Sequence, residues 1–321
     1  MRASKTVFLV NPASDNGATG RHWAELAHRA AGLGLDGETL YSERPNHLTE
    51  LAADVDADLV VAVGGDGTLN EVVNGLMQRD ERPVLATIPL GTGMDFGRTY
   101  GIPKKFDEAV EVALQGDVRT VDAGRVRYRT WAGDDAERWF ANVGSVGMSG
   151  AVAQRANGMS KALGGKATFF YALTRVFLEW ENTEVTVRLD GGTERRGRMH
   201  DVIVANGVWH GGGMKLAPDA APDDGQFDVV LIGDVGKVDF LTTAPKIYKG
   251  KHVLHPKVEV LRSTRVEVLA GEHLPIELEG EQVGTTPATF ELVPGALRVR
   301  VPSSTSSSSR SSSSPPSSAS L

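Results

Sequence analysis

Over the first third of the chain, short apolar runs alternate with polar turn clusters, and helical periodicity fills the gaps between them. Thr6–Val10, residues 59–63 and Val84–Pro89 are continuous apolar runs rich in β-branched residues, as expected of buried strands. Glu38–Tyr41 is a shorter strand. Residues 22–32 place Trp23, Leu26, Ala27 and Ala30 at helical spacing, and residues 46–53, 69–77 and Phe106–Gln115 read as further helices. Strand and helix alternate across residues 6–115, which predicts βαβ units and a mainly parallel sheet. In such sheets ligands bind beyond the carboxyl ends of the strands.

The pattern changes near Val118. Residues 139–143, 184–189, 200–205, 257–261, 265–269, 288–293 and 296–301 are short strand-like stretches, as are Phe227–Ile232 and Pro275–Leu278. Many short strands separated by turn signals predict a β-sandwich or barrel. Residues 158–181 and 238–249 are the helical exceptions. Beyond Val301 the chain is Ser-rich and contains Pro315-Pro316, with too few apolar residues to order itself. The expected organisation is an α/β domain over residues 1–120, an all-β sandwich domain over 121–301 with a helical insertion at about 151–181, and a disordered tail over 302–321.

Composition narrows the picture. A chain of 321 residues favours two domains, and a net charge of −7 argues against a general nucleic-acid binder. The absence of cysteine removes disulfides, thiolate metal sites and a thiol nucleophile. The longest apolar candidate, residues 169–180, is interrupted by Thr174, Arg175 and Glu179, and no stretch reaches the ~18 apolar residues of a membrane span. The expectation is a cytoplasmic protein that would have to visit the membrane surface to act on lipid.

Candidate chemistry lies first at Gly64-Gly65-Asp66-Gly67-Thr68, between a predicted strand and a predicted helix. Backbone N–H groups in such a turn, with a helix N-terminus behind them, form an anion site. A plain Gly-rich βα turn is the alternative reading, and the turn alone leaves both open. Residues 11–17 and 91–95 form two more turn clusters after strands, so all three can converge on one sheet edge. Two spellings mislead. Asp95-Phe96-Gly97 matches the protein-kinase metal tripeptide without the catalytic loop that belongs with it. His210-Gly211-Gly212-Gly213 matches a lipase oxyanion loop without a nucleophile elbow. The pair His252 and His255 reads as a surface turn rather than a metal pair.

Taken together, the clusters resemble the diacylglycerol kinase catalytic-domain family, which includes bacterial lipid kinases and sphingosine and ceramide kinases. The matching residues are Asn11-Pro12-Ala13-Ser14, the run from Gly64 to Gly75, and Pro89-Leu90-Gly91-Thr92-Gly93-Met94-Asp95-Phe96-Gly97-Arg98. Downstream they continue through Val121-Asp122-Ala123-Gly124, Asn142 to Gly147, Gly211 to Ala220, Asp223-Asp224-Gly225 and Glu279-Gly280-Glu281. The resemblance implies an N-terminal domain like that of NAD kinases and phosphofructokinases. It places ATP on Gly64, Gly65, Asp66, Gly67 and Thr68, with Asn11, Ser14, Ser42, Asn70 and Thr92 around it. It makes Glu281 the general base, and Asp66 and Asp95 the holders of a catalytic Mg²⁺. A second, structural Mg²⁺ or Ca²⁺ is implied at Asp224, with backbone carbonyls of Ala221 and Gln226 and a link to Asp122. A homodimer through sandwich edge strands is also implied.

Three residues depart from the family pattern. Met94 stands for the usual Asn, Asp15 for the usual Gly, and Glu279 for the usual Asp. The leading expectation is an ATP-dependent kinase of diacylglycerol or a related long-chain alcohol, with residues around Phe169, Phe170 and Phe177 forming a tail pocket, a membrane-facing helix or simply core. An NAD kinase-like enzyme and a catalytically weak nucleotide- and lipid-binding protein are the alternatives. Catalysis is expected to require closure of the two domains.

Overall fold

The structure, a computed structural model, describes residues 5–91, 93–158 and 165–303. The N-terminal part runs β1 (Thr6–Val10), α1 (Ala18–Gly32), β2 (Glu38–Tyr41), α2 (His47–Asp54), β3 (Leu59–Gly64), α3 (Asp66–Leu76), β4 (Val84–Pro89), α4 (Asp95–Thr99) and α5 (Phe106–Gln115). Its strands are parallel in the order β2-β1-β3-β4. Both faces are covered, which is why β3 is buried throughout and reads as a continuous apolar run. Side chains still alternate: Val7, Leu9, Val60 and Ala62 pack with α2 and α3, while Phe8, Val10, Val61 and Val63 pack with Trp23 of α1 and Val110 of α5.

The C-terminal part follows as β5 (Asp117–Arg129), β6 (Asp135–Phe140), β7 (Val143–Gly147), α6 (Met148–Asn157), α7 (Gly165–Glu179), β8 (Thr183–Leu189), β9 (Thr193–Met199) and β10 (Asp201–Ala205). A two-stranded hairpin, β11 (Trp209–His210) and β12 (Met214–Lys215), comes next, then β13 (Phe227–Ile232) and α8 (Lys237–Ile247). The last strands are β14 (Val258–Ser263), β15 (Arg265–Ala270), β16 (Pro275–Leu278) and β17 (Glu281–Val301). Strands β14-β13-β10-β7-β16 form one layer, β9-β8-β15 lie in the other with β5 and β6, and β17 joins both. Phe140, Phe227, Phe290, Val187 and Val204 fill the space between.

Strand β17 is longer than its sequence pattern suggests. Residues 288–293 and 296–301 read as two strands; they are halves of one 21-residue element with an irregularity between Val293 and Leu297. Its end pairs in parallel with β4 through Val299 and Leu85. Val121, Ala123, Leu297 and Val299 therefore belong to the core of the N-terminal sheet. The division at 120/121 falls inside β5, and the N-terminal layer takes its next strand from the far end of the chain. Strand β9 had no sequence signal because Arg195, Arg196 and Arg198 break its apolar alternation. Between α6 and α7, residues 159–164 of the predicted helical insertion lie outside the described residues, as does most of the Ser-rich tail.

Candidate active site

The three turn clusters do meet at the carboxyl edge of the parallel sheet. Gly64 ends β3 and Gly65 caps α3, so Asp66, Gly67 and Thr68 form its first turn. The backbone N–H groups there have no partner within the helix and give the edge a positive end. The packing is tight. A Cβ on Gly64, at φ +157°, would stand 2.3 Å from Thr68 Oγ1, and one on Gly91 would stand 2.7 Å from Gly65 Cα. Only glycine lets the Gly91 loop lie against the Gly65 loop. Ser14 donates its hydroxyl to Thr19 Oγ1 at 2.6 Å, and Thr19 in turn donates to the Leu90 carbonyl at 3.4 Å, tying the first cluster to the third. Asn11 accepts from the Ala13 N–H at 3.0 Å, and the Ser42 N–H donates to the Val10 carbonyl at 2.9 Å, so both lie on the same rim. Thr92 lies outside the described residues.

Asn70 is a correction. Its side-chain amide donates to the Trp139 carbonyl at 3.1 Å, and Asn74 makes the same bond at 2.9 Å while accepting from the Trp139 N–H. The bond holds the Asn70 side chain against β6. It ties the two halves of the protein together instead of facing a phosphate.

Glu281 follows the hairpin turn Glu279-Gly280 and reaches across to the N-terminal half. A Cβ built on Gly67 would stand 3.4 Å from Glu281 Oε1. The other oxygen, Oε2, faces Arg138 Nη1 at 3.4 Å, and Arg138 also donates to Asn46 Oδ1. The carboxylate is therefore aimed at the phosphate-type loop. Shared strand β17 explains this: residue 281 and the strand beside β4 lie on one continuous element.

Asp66 and Asp95 are adjacent. Asp66 Oδ1 accepts from the Phe96 N–H at 3.2 Å, at the start of α4. Burial, and then the charge of Asp95, raise the Asp66 carboxyl above its ordinary range. Asp95 is paired with Arg98 and accepts from the Gly212 N–H at 2.6 Å. Two close carboxylates with one guanidinium carry an excess of negative charge on hard oxygen donors. That chemistry fits Mg²⁺ held through water.

The carboxylates of the second predicted metal set are hydrogen-bonded within the protein. Asp224 is paired with Arg262, and the Gln226 N–H donates to its other oxygen at 3.1 Å. Asp122 accepts from the Gly225 and Gly295 N–H groups, both at 2.8 Å. Guanidinium and backbone donors thus engage the Asp224 and Asp122 carboxylates. Among the described residues, no three metal-ligating side chains cluster.

Several participants went unnoticed in the sequence. His210, set aside with its three glycines, faces buried Glu277 at 3.2 Å. Burial alone would lower the His210 pKa, but the charge and hydrogen bond of Glu277 outweigh it and push it up to about 9. The Glu277 carboxyl is likewise lowered, against the cost of burial, by His210. Ser145 donates to Glu277 at 2.8 Å, and Ser149 joins Ser145 to Asp201. Glu279 is half-buried and accepts from the Ala141 and Asn142 N–H groups at 2.9 and 2.7 Å, and desolvation pushes it up to about 8. A charged residue inside the apolar run Ile276-Glu277-Leu278 was the available signal. His252 is also buried, its Nε2 on the Leu216 carbonyl at 3.1 Å, rather than in a surface turn.

Two family descriptions match this chain. Residues 5–126 match the diacylglycerol kinase catalytic domain, and residues 142–301 match the YegS C-terminal NAD kinase beta sandwich-like domain. The chain belongs to the diacylglycerol kinase catalytic-domain family. It is a phosphotransferase of that lipid-kinase family. It is 29% identical over 288 residues to the diacylglycerol kinase of Bacillus subtilis (strain 168), covering 88% of this chain and 91% of the relative. The diacylglycerol kinase of Staphylococcus carnosus (strain TM300) is 27% identical over 88% of this chain and 90% of its own. A Bacillus anthracis str. Sterne crystal structure, described provisionally as a diacylglycerol kinase, superposes with a TM-score of 0.74 at 25% identity, covering 93% of this chain and 95% of that one.

Against this family pattern, the three departures share one backbone property. Asp15, Met94 and Glu279 have φ of 50°, 61° and 53°, the left-handed region where Gly or Asn sits most easily. The usual residues at 15 and 94 are those two types. Asp15 is exposed and begins a left-handed run with Asn16 and Gly17. Asp15→Gly is therefore expected to raise stability by about 1 kcal/mol, and Asp15→Ala to lower it, in denaturant titration.

Proposed function

We propose that this protein is an ATP-dependent kinase that phosphorylates a hydroxyl of diacylglycerol or a related long-chain lipid alcohol. The observation carrying this reading is the placement of Glu281 Oε1 beside Gly67, on the first turn of α3. A base stands next to an anion-binding helix end, as transfer of a phosphoryl group to an alcohol requires.

The N–H groups of the Gly64–Thr68 loop would bind the ATP phosphates, and the Gly91 loop would border them. With its Oε2 side oriented by Arg138, Glu281 would take the proton of the lipid hydroxyl. The alcohol oxygen would then attack the γ-phosphorus, forming the new O–P bond. The bond from the γ-phosphorus to the bridging oxygen would break, and ADP would leave with that electron pair. Mg²⁺ held through Asp66 and Asp95 would neutralise charge on the phosphates. Gly212, through its bond to Asp95, would fix that carboxylate in place.

The decisive assay supplies radiolabelled ATP with diacylglycerol in mixed micelles and, separately, with NAD. Label in the organic phase is the expected result. Label on NAD instead would establish the soluble-substrate alternative, and nucleotide binding without transfer to either would overturn the lipid-kinase reading.

A further inference from the structure

Helix α8 is apolar on two faces. Phe240 stacks on Phe177 of α7 with ring centroids 4.5 Å apart, which anchors the inner face. The outer positions Val238, Leu241, Pro245 and Tyr248 recur at intervals of three and four residues, so they share a stripe. Val238 is 75% exposed, Leu241 63% and Tyr248 56%, and Leu254 just beyond the helix is 78% exposed. Lys237 Nζ donates to the Leu178 carbonyl at 2.5 Å, and Leu178 is itself exposed, so the stripe continues onto the edge of α7. An apolar stripe of this size on a protein surface marks an interaction site.

Charge identifies the partner. The chain carries −7 overall, yet residues 237–257 contain Lys237, Lys246, Lys249, Lys251 and Lys257 against the single acid Asp239. Asp239 is itself taken by Lys257 at 2.7 Å. Exposed lysines flank the stripe at Lys237, Lys246, Lys249 and Lys251. Apolar residues rimmed by cations on one helix are the features that seat a helix in the headgroup layer of an anionic bilayer.

The segment also leans on the catalytic edge. His252 bonds to the Leu216 carbonyl, and a Cβ on Gly250 would stand 2.8 Å from Pro218 Cβ. Residues 216–218 follow the β11–β12 hairpin, whose Gly212 holds Asp95.

We propose that the outer face of α8, continued through residues 248–254, docks the enzyme on an anionic phospholipid bilayer. This proposal rests on the lipid-kinase reading above. The full chain would be sedimented with vesicles of phosphatidylcholine alone and with added phosphatidylglycerol, and turnover would be measured on a short-chain diacylglycerol dissolved as monomers. The wild-type chain is expected to partition onto the anionic vesicles. Lys246→Glu with Lys249→Glu should reduce that partitioning by at least about 25-fold, at roughly fivefold per lysine. Leu241→Ser with Tyr248→Ser should reduce it as well, and both variants should keep wild-type turnover on the monomeric substrate. Equal vesicle binding by wild type and variants would overturn the proposal, as would a wild type that stays in solution. So would a serine variant that converts a dimer to a monomer in analytical ultracentrifugation with vesicle binding intact. If the wild type and variants bind vesicles as expected but no diacylglycerol is phosphorylated, docking stands and the lipid-kinase reading fails.

Discussion

Replacing Glu281 by Gln is expected to lower kcat by a factor of about 10² to 10⁴, the usual contribution of a positioned general base. The amide keeps the size of the side chain and can still face Arg138, so the fold and the nucleotide site should be undisturbed. It cannot accept the hydroxyl proton. The effect should therefore fall on kcat, with little change in KM for ATP, because no phosphate contact is removed. Steady-state kinetics on diacylglycerol in mixed micelles, with ATP varied, makes the separation. A Glu281→Gln enzyme with full turnover would remove this residue from the reaction and leave it as a partly exposed hairpin residue.

The second large effect is on stability. Glu277 and His210 form a buried ion pair, and Ser145 and the Gly280 N–H also bind the Glu277 carboxylate. Glu277→Gln leaves His210 buried without its counter-ion, a change that costs about 3–5 kcal/mol when one partner of such a pair is removed. The pH dependence has a definite sign. His210 is raised to about 9 from its ordinary 6.5, so its contribution is complete below pH 6.5 and is lost as pH rises through 9. Asp201 and Glu279 are each raised by desolvation to about 8 from ordinary values of 3.8 and 4.5, so ionising them at higher pH opposes the fold in the same direction. Wild-type stability should therefore fall from about pH 4 upward, through about pH 8 for Asp201 and Glu279 and between pH 6.5 and 9 for His210. In Glu277→Gln the His210 share of that fall should disappear, while the shares of Asp201 and Glu279 persist. Denaturant titrations of both proteins at several pH values measure it, and parallel wild-type and variant curves would contradict the pairing.

Local pattern carried much of the architecture. The parallel strands at 6–10, 59–64 and 84–89 are legible because burial on both faces makes them continuous apolar runs. The sandwich strands are legible because they alternate. What pattern could not carry was long-range pairing. Nothing within residues 296–301 says that they lie beside β4, some two hundred residues earlier, and that pairing helps bring Glu281 to Gly67. The site divides in the same way. Gly64, Gly65 and Gly67 announce themselves through a strand–glycine–helix order whose meaning is local. Asn70, in the same motif, misleads because its partner, Trp139, lies on β6. The pairing of Asp224 with Arg262 was not legible because Arg262 lies on a strand well downstream. Glu277 stands out within its apolar run, but nothing in the sequence pairs it with His210, some seventy residues earlier.

Strand β17 also sets a timetable for synthesis. While the ribosome is still translating the sandwich, the parallel sheet has all four of its own strands but lacks the neighbour that β4 acquires from residues 297–301. Until that stretch has emerged, β4 presents an unpaired apolar edge that invites association with other nascent chains. The parallel sheet is complete only once residues 297–301 have emerged, and grafting residues 1–120 onto another protein would carry that open edge along.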